Sequence, residues 1–399
     1  SITINAITGS SANGALITVN LTSNNGNINI TGTTVSGSGV TNAGGVSVIT
    51  ANSGAVNITG TATTTGNGVY LYSNSAISAK AITVSGTTAT GSYGAYINTM
   101  TLVSGGTNIT ITGTGGSSYG IYDTANITDN AVSSNISFIS NKAIYQTGAI
   151  TLVANTATSA PATITYNTTS GDKTATITTG ALTVGAGTNN SAINYLVLAD
   201  GGTITVPAIS VPGYILLDNS CRGCSPTVTP ANAAVNGNAI TISGALSAGT
   251  LADTTGVTIN AVANGTGVGF SQGANVISAS AGGISITVNG QTGTAYSSAG
   301  NLSASGQSIT INTTTTTASG ISNTGTITGG VVSLSSTQST ATATATLISS
   351  TGLITANRLT VTGSGGAAAT IVSLGAITMN AGGGDLSVTA TNASAGGNT

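Results

Sequence analysis

Few side chains in this sequence are of types that do chemistry, and most of them stand alone. Cys221 and Cys224 are the only cysteines, three residues apart in Asp218-Asn219-Ser220-Cys221-Arg222-Gly223-Cys224-Ser225-Pro226. Such a pair can close a local disulfide, supply two thiolates to a metal, or cycle as a redox couple. A redox pair of this kind sits beside a βαβ pattern, which the flanking sequence lacks. A zinc site takes about four N or S ligands, and the chain has no His and no further Cys. A local disulfide is the first expectation, ahead of free thiols and of an inter-chain bond or shared metal. It fits an oxidising compartment.

The acids are Asp123, Asp129, Asp172, Asp200, Asp218, Asp253 and Asp385, with no Glu. Only Asp123 and Asp129 lie close together. Two carboxylates can share acid–base work on a glycosidic bond or, with further oxygens, hold calcium. Their neighbourhood, Tyr122-Asp123-Thr124-Ala125-Asn126-Ile127-Thr128-Asp129, reads as a turn, so solvated turn carboxylates are expected. Gly382-Gly383-Gly384-Asp385 is a single echo of a calcium-binding nonapeptide. Ser170-Gly171-Asp172-Lys173 matches a Ser-x-x-Lys pattern but lacks the helix and companion motifs that give it meaning. Without His no Ser-His-Asp triad can form. Gly66-Asn67-Gly68 and Gly265-Thr266-Gly267 open no helix, so phosphate binding is not indicated. The reading is a non-enzyme with no cofactor, no metal and no catalytic residue.

Composition narrows the class. The chain has 399 residues with 5 Lys+Arg, 7 Asp+Glu, a formal net charge of −2 and 58 Gly. Five scattered cations cannot displace the counterions of a nucleic acid, so no nucleic-acid partner is expected. Mean hydropathy is +0.35, whereas disorder needs low hydrophobicity and high charge. No run of about 18 apolar residues suggests a membrane span. Thr, Ser, Asn, Gly, Val and Ile dominate, and these favour strands and turns over helices.

A repeat organises them. Asn27-Ile28-Asn29-Ile30-Thr31-Gly32-Thr33 returns as Val56-Asn57-Ile58-Thr59-Gly60-Thr61, Ile82-Thr83-Val84-Ser85-Gly86-Thr87 and Ile109-Thr110-Ile111-Thr112-Gly113-Thr114. The first apolar positions 28, 56, 82 and 109 are 28, 26 and 27 residues apart, and Ile136 and Ile164 continue the series. Tyr70, Tyr96, Tyr122 and Tyr145 keep step at intervals of 26, 26 and 23. A looser series runs through Val257, Ile284, Ile309, Val331, Leu359 and Leu386. Alternation puts Ile28 and Ile30 on one face and Asn29 and Thr31 on the other. One short apolar face cannot fold alone, but stacked coils bury it. The predicted fold is all-β: a parallel β-solenoid or β-helix of ~27-residue coils, with right-handed winding expected because right-handed crossovers dominate between parallel strands.

Three segments are expected: regular coils over 1–206, a loop insertion over 207–238 holding Pro207, Pro212, Pro226, Pro230 and both cysteines, and less regular coils over 239–399. Proline cannot donate to a ladder, which motivates the break.

Stacking would turn repeated outward residues into columns. Tyr70, Tyr96, Tyr122 and Tyr145 would either ladder within the fold or form a stripe that binds sugar or a partner. Thr31, Thr33, Thr59, Thr61, Thr112 and Thr114 would make an outward array resembling the ice-binding faces of small β-solenoids, interrupted at Ser85. Asn-x-Ser/Thr sequons at Asn29, Asn57, Asn108, Asn126, Asn135, Asn167, Asn301 and Asn312 are read mainly as solvent-facing strand residues, with glycan attachment the alternative.

The phrase Gly54-Ala55-Val56-Asn57-Ile58-Thr59-Gly60-Thr61 followed by Gly66-Asn67-Gly68-Val69-Tyr70-Leu71 resembles large bacterial haemagglutinin-type exoproteins and autotransporter passengers. The likeness covers residues 1–190 well and 239–399 loosely. It implies a secreted solenoid of the cell surface with adhesive, biofilm or matrix roles, and carries no catalytic residue onto this chain. The sequence begins in strand pattern at Ser1-Ile2-Thr3-Ile4-Asn5 and stops without a charged or helical cap, so the expectation is a stretch of a longer protein or a subunit stacking head to tail on copies of itself. The expected role is an extracellular structural solenoid, a surface adhesin or filament subunit, whose partners are its own copies or a glycan or protein on a neighbouring cell. The alternative is a glycan- or ice-binding module.

Overall fold

The computed structural model describes residues 1–42, 47–72, 74–130, 135–152, 162–168, 174–184, 193–220, 238–249, 256–290, 292–340, 345–366, 370–380 and 382–392. Among them every regular element is a strand, and the strands stack in parallel as a β-solenoid with coils about 27 residues apart. No helix among the described residues is long and apolar enough to cross a membrane. Two compact units, Ser1–Leu196 and Val197–Thr399, divide the chain, at a place different from the break expected at 207–238.

In the first unit each coil has three strand positions. The long ladder joins Ile2–Ile7, Ile28–Thr34, 55–62, 81–88, Asn108–Gly115, Asn135–Ser140 and Ala162–Thr168. Its register is like on like: Ile2, Ile28, Val56, Ile82, Ile109, Ile136 and Ile164 form one column. The members from Ile28 onward are at most 1% exposed. Two residues on, Ile30, Ile58, Val84, Ile111, Phe138 and Tyr166 form a second buried column. Burying such a side chain stabilises by about 1.5–3 kcal/mol, so the repeated aliphatic pairs are the main source of cohesion.

The short ladder joins Ala15–Leu16, Val40–Thr41, Val69–Leu71, Tyr93–Ile97, Tyr119–Asp123, Ile144–Gln146 and Ile177–Thr178. A third, bridging ladder joins Leu21–Ser23, 48–51, 76–79, Thr101–Ser104, Asn126–Asp129, Ile150–Leu152 and Leu182–Val184. Bridging and long strands merge over Val48–Ala62 and Ala76–Thr88, with a register shift between Ala51 and Ala55.

The corner between long and short ladders explains one glycine in the repeat. Gly32, Gly60, Gly86 and Gly113 lie in register. A Cβ on any of them would overlap the carbonyl oxygen of Gly39, Gly68, Gly94 or Gly120 respectively. The backbone crosses there at a distance that only glycine allows.

The second unit repeats the plan. Its long ladder carries Ile215, Val257, Ile284, Ile309, Val332, Leu359 and Leu386 in one column. The member from 331–338 is therefore Val332 and not Val331, which pairs with Ser308 and is 43% exposed. A one-residue slip reverses every face, and only pairing resolves two adjacent valines. Its short ladder includes Ile204–Val206, Ile240–Ile242, Phe270–Gly273 and Tyr296–Ser298.

Residues 207–220 do not leave the coils. Ile209–Val211 pairs with Leu246–Ala248, and Ile215–Asp218 pairs with 257–260. Pro207 directly follows Ile204–Val206 and Pro212 directly follows Ile209–Val211, at corners where no ladder N–H is needed. Pro226, Pro230, Cys221, Cys224 and the disulfide expectation lie outside the described residues.

Candidate functional site

The tyrosine and threonine columns singled out in the sequence fall on two outward faces of the first unit. On the short ladder, Tyr70 pairs with Tyr96, Tyr96 with Tyr122 and Tyr122 with Tyr145. Val69, Ala95, Ile121 and Ile144 precede them and point inward, so alternation turns each tyrosine outward, where it is half-buried. The rings stack with centroids 4.6 Å, 5.0 Å and 5.0 Å apart and planes within 18°, 6° and 19°. The tyrosines ladder on one another within the fold, on its solvent-facing side.

Three more tyrosines belong to this face. Tyr93 pairs with Tyr119, the two rings stacked at 6.2 Å, and both tilt against the main column at 4.9–5.9 Å. Tyr72 caps it at 5.2 Å from Tyr70. Tyr93 and Tyr119 are 26 residues apart, the same interval as the main column, and that was the signal for them. Asn98 Nδ2 donates to the Tyr96 hydroxyl at 2.9 Å, and the Thr124 hydroxyl donates to Asn98 Oδ1. Burial, then repulsion between neighbouring phenols, holds the hydroxyls of Tyr70, Tyr93 and Tyr122 above the ordinary phenol value. They stay neutral donors at physiological pH. Stacking occupies the ring faces within the column, leaving edges and hydroxyls as the contact surface.

On the long ladder, Thr33, Thr61, Thr87 and Thr114 form one unbroken column. Thr31, Thr59, Ser85 and Thr112 form a second, which ends where Thr112 meets Ile139. Asn29, Asn57, Thr83 and Thr110 make a third, with Asn57 Nδ2 donating to Asn29 Oδ1 at 2.8 Å. Ser85 keeps its place in the rank, so the interruption expected there is a change of side chain and not of register.

The acids are placed differently from expectation. Asp123 and Asp129 are strand residues, 0% and 2% exposed, and not solvated turn carboxylates. Asp123 follows the outward Tyr122 and so points inward, in the column of Leu71, Ile97 and Gln146. Its Oδ1 accepts the Ala125 N–H at 2.8 Å, and its Oδ2 has no partner among the described residues. Burial drives its pKa from 3.8 up to about 7 against that one opposing hydrogen bond. Asp129 stands in the bridging ladder between Ser104 and Leu152. Gln146 continues the buried polar layer: its Oε1 accepts from the Tyr166 hydroxyl and the Gly180 N–H, and its Nε2 donates to the Gly148 carbonyl. Asp172, Ser170, Lys173 and Asp253 lie outside the described residues.

Several sequon asparagines have structural work. Asn108, Asn126, Asn135 and Asn301 are exposed, and each Oδ1 accepts a backbone N–H one coil on, from Asn135, Ala149, Thr163 and Thr326. Asn13, Asn27 and Asn67 do the same outside sequons, and so does Asn20 within the sequon Asn20-Leu21-Thr22.

No protein-family model, no curated protein and no solved structure matches this chain.

Proposed function

We propose that the chain is a non-enzymatic structural solenoid of the cell exterior, serving as a surface adhesin or as the subunit of a filament or matrix. The observation that carries this reading is the like-on-like register of its outward columns: tyrosine on tyrosine across four coils, and hydroxyl on hydroxyl across four coils at Thr33, Thr61, Thr87 and Thr114. A rigid, nearly uncharged grid of hydroxyls, amides and phenol edges suits contact with other hydroxylated surfaces, glycans above all. The same register supports self-association, because each coil already seats on a near copy of itself through parallel backbone bonds. The composition supports an extracellular setting, and the repeat phrase supports kinship in style with haemagglutinin-type exoproteins.

A second reading, a glycan- or ice-binding module, is favoured by one further detail. Among the described residues no hydrogen bond engages the hydroxyls of Thr31, Thr33, Thr59, Thr61, Thr112 and Thr114, which leaves them to a ligand or to ordered water.

Electron microscopy of the native protein over a concentration series, paired with binding to immobilised cell-surface glycans, tests both. Fibres that lengthen with concentration support the filament role. Isolated particles that bind glycan support the adhesin or binding module, and neither fibres nor binding overturns the proposal.

A further inference from the structure

Seven of the chain's 11 tyrosines gather on one face: Tyr70, Tyr72, Tyr93, Tyr96, Tyr119, Tyr122 and Tyr145. We infer that this face is a site of oxidative tyrosine cross-linking, in which register-paired tyrosines of successive coils join as dityrosine and staple coil to coil. Three observations carry it. The main-column rings are near-parallel with centroids 4.6–5.0 Å apart, so each ring stacks against its neighbour one coil on. All seven rings are half-exposed, so a soluble oxidant reaches them while the backbone ladder holds them in place. The chain contains no Trp and no His; of its two methionines, Met100, in the corner beyond Tyr96, is buried at 4% exposure, and the half-exposed Met379 belongs to the second unit, so few side chains near the cluster compete for the oxidant.

The chemistry balances with a peroxide as co-reactant. Each of two phenols gives up one electron and its hydroxyl proton, leaving two phenoxyl radicals. These couple through one ortho carbon each. The hydrogens on the joined carbons then move to the oxygens, restoring two phenols linked by a carbon–carbon bond. The pair has lost two hydrogens in all, and one hydrogen peroxide takes up the two electrons and two protons to become two waters. A haem peroxidase is the class of catalyst that runs this exchange. Neighbouring links such as Tyr70 to Tyr96 close 26-residue loops, so each removes conformational freedom from the unfolded chain as a disulfide does.

The test treats the dilute full chain, any free thiol alkylated beforehand, with a haem peroxidase and hydrogen peroxide, in buffer and in denaturing urea. Mass spectrometry of a digest reads the links. The expected result is intramolecular pairs 70–96, 96–122 and 122–145, each lighter by two hydrogens, at several times the yield found in urea, with a raised denaturation midpoint. Tyr96→Phe combined with Tyr122→Phe keeps the rings and the stack, and should cut the native yield severalfold. Links that are only intermolecular, links centred on Tyr214 of the second unit, or equal yields in buffer and urea would each overturn the inference.

Discussion

Replacing Asp123 by asparagine should stabilise the protein at pH 8 and leave it nearly unchanged at pH 4. The carboxyl is fully buried, with one oxygen unpartnered among the described residues, and its pKa rises from 3.8 to about 7 on folding. Below pH 4 it is protonated in both states and its contribution to stability is fully present. Between pH 4 and 7 only the unfolded chain releases the proton, so stability falls as pH rises. Above 7 both states are ionised and the loss is complete. About three pH units at 1.36 kcal/mol each make the loss roughly 4 kcal/mol. Asparagine keeps the acceptor for the Ala125 N–H but sets an amide N–H₂ where the bare oxygen stood, and an unpaired neutral group costs about 1–3 kcal/mol. The protonated carboxyl of Asp123 leaves an equivalent donor unpaired, so that cost cancels at pH 4 and the net gain at pH 8 is roughly the full 4 kcal/mol. With no His and no Glu in the chain, few other groups titrate in this window. Urea midpoints by tyrosine fluorescence at pH 4, 6 and 8 measure it. Hydrogen exchange at residues 121–125 should accompany them, because repeat arrays open locally. If both proteins lose stability in parallel from pH 4 to 8, the buried charge is not the cause.

Other substitutions probe the remaining parts. Gly60→Val should lower the denaturation midpoint by the equivalent of about 1–3 kcal/mol or prevent folding, since its side chain would meet the Gly68 carbonyl, whereas Gly9→Ala, with open space around it, should match the parent. Ile109→Ala, at the centre of the long-ladder column, should cost about 2–5 kcal/mol in a urea titration. Asn219→Ala in the second unit removes the acceptor for the Val262 N–H and the donor to the Gly202 and Val262 carbonyls. It should cost about 2–4 kcal/mol and speed hydrogen exchange at Val262, and an unchanged exchange rate would show that the side chain is not what holds these strands.

The long ladder was legible because each strand carries two inward residues at i and i+2 plus a fixed glycine, enough to show a period. The tyrosines were legible for the same reason. The bridging ladder was not: a three-residue strand such as Ile150–Leu152 shows the same apolar-Thr-apolar triplet as many others and has too few positions to reveal a face. Asp123 was misread from its polar neighbours, although its place followed from the tyrosine column. Once Tyr122 faces out with Tyr96, the next residue must face in with Ile97. Pro207 and Pro212 were read as a break because composition does not say where a corner falls. The extra tyrosines Tyr93 and Tyr119 shared the period but stood outside the repeated phrase.

The like-on-like columns also set rules for how such a chain can change length. Excising one whole repeat, such as residues 56–81, would bring Ile28 onto Ile82 and Gly32 onto Gly86, pairs of the same kinds that Val56 and Gly60 supply now. Adding a repeat would be equally silent to the core. Losing a single residue from a strand would instead turn its aliphatic face to water and its threonines inward. Gain and loss in units of one coil are thus neutral to the interior, while the outward face lengthens or shortens with each event, so the size of the contact surface can drift independently of the core.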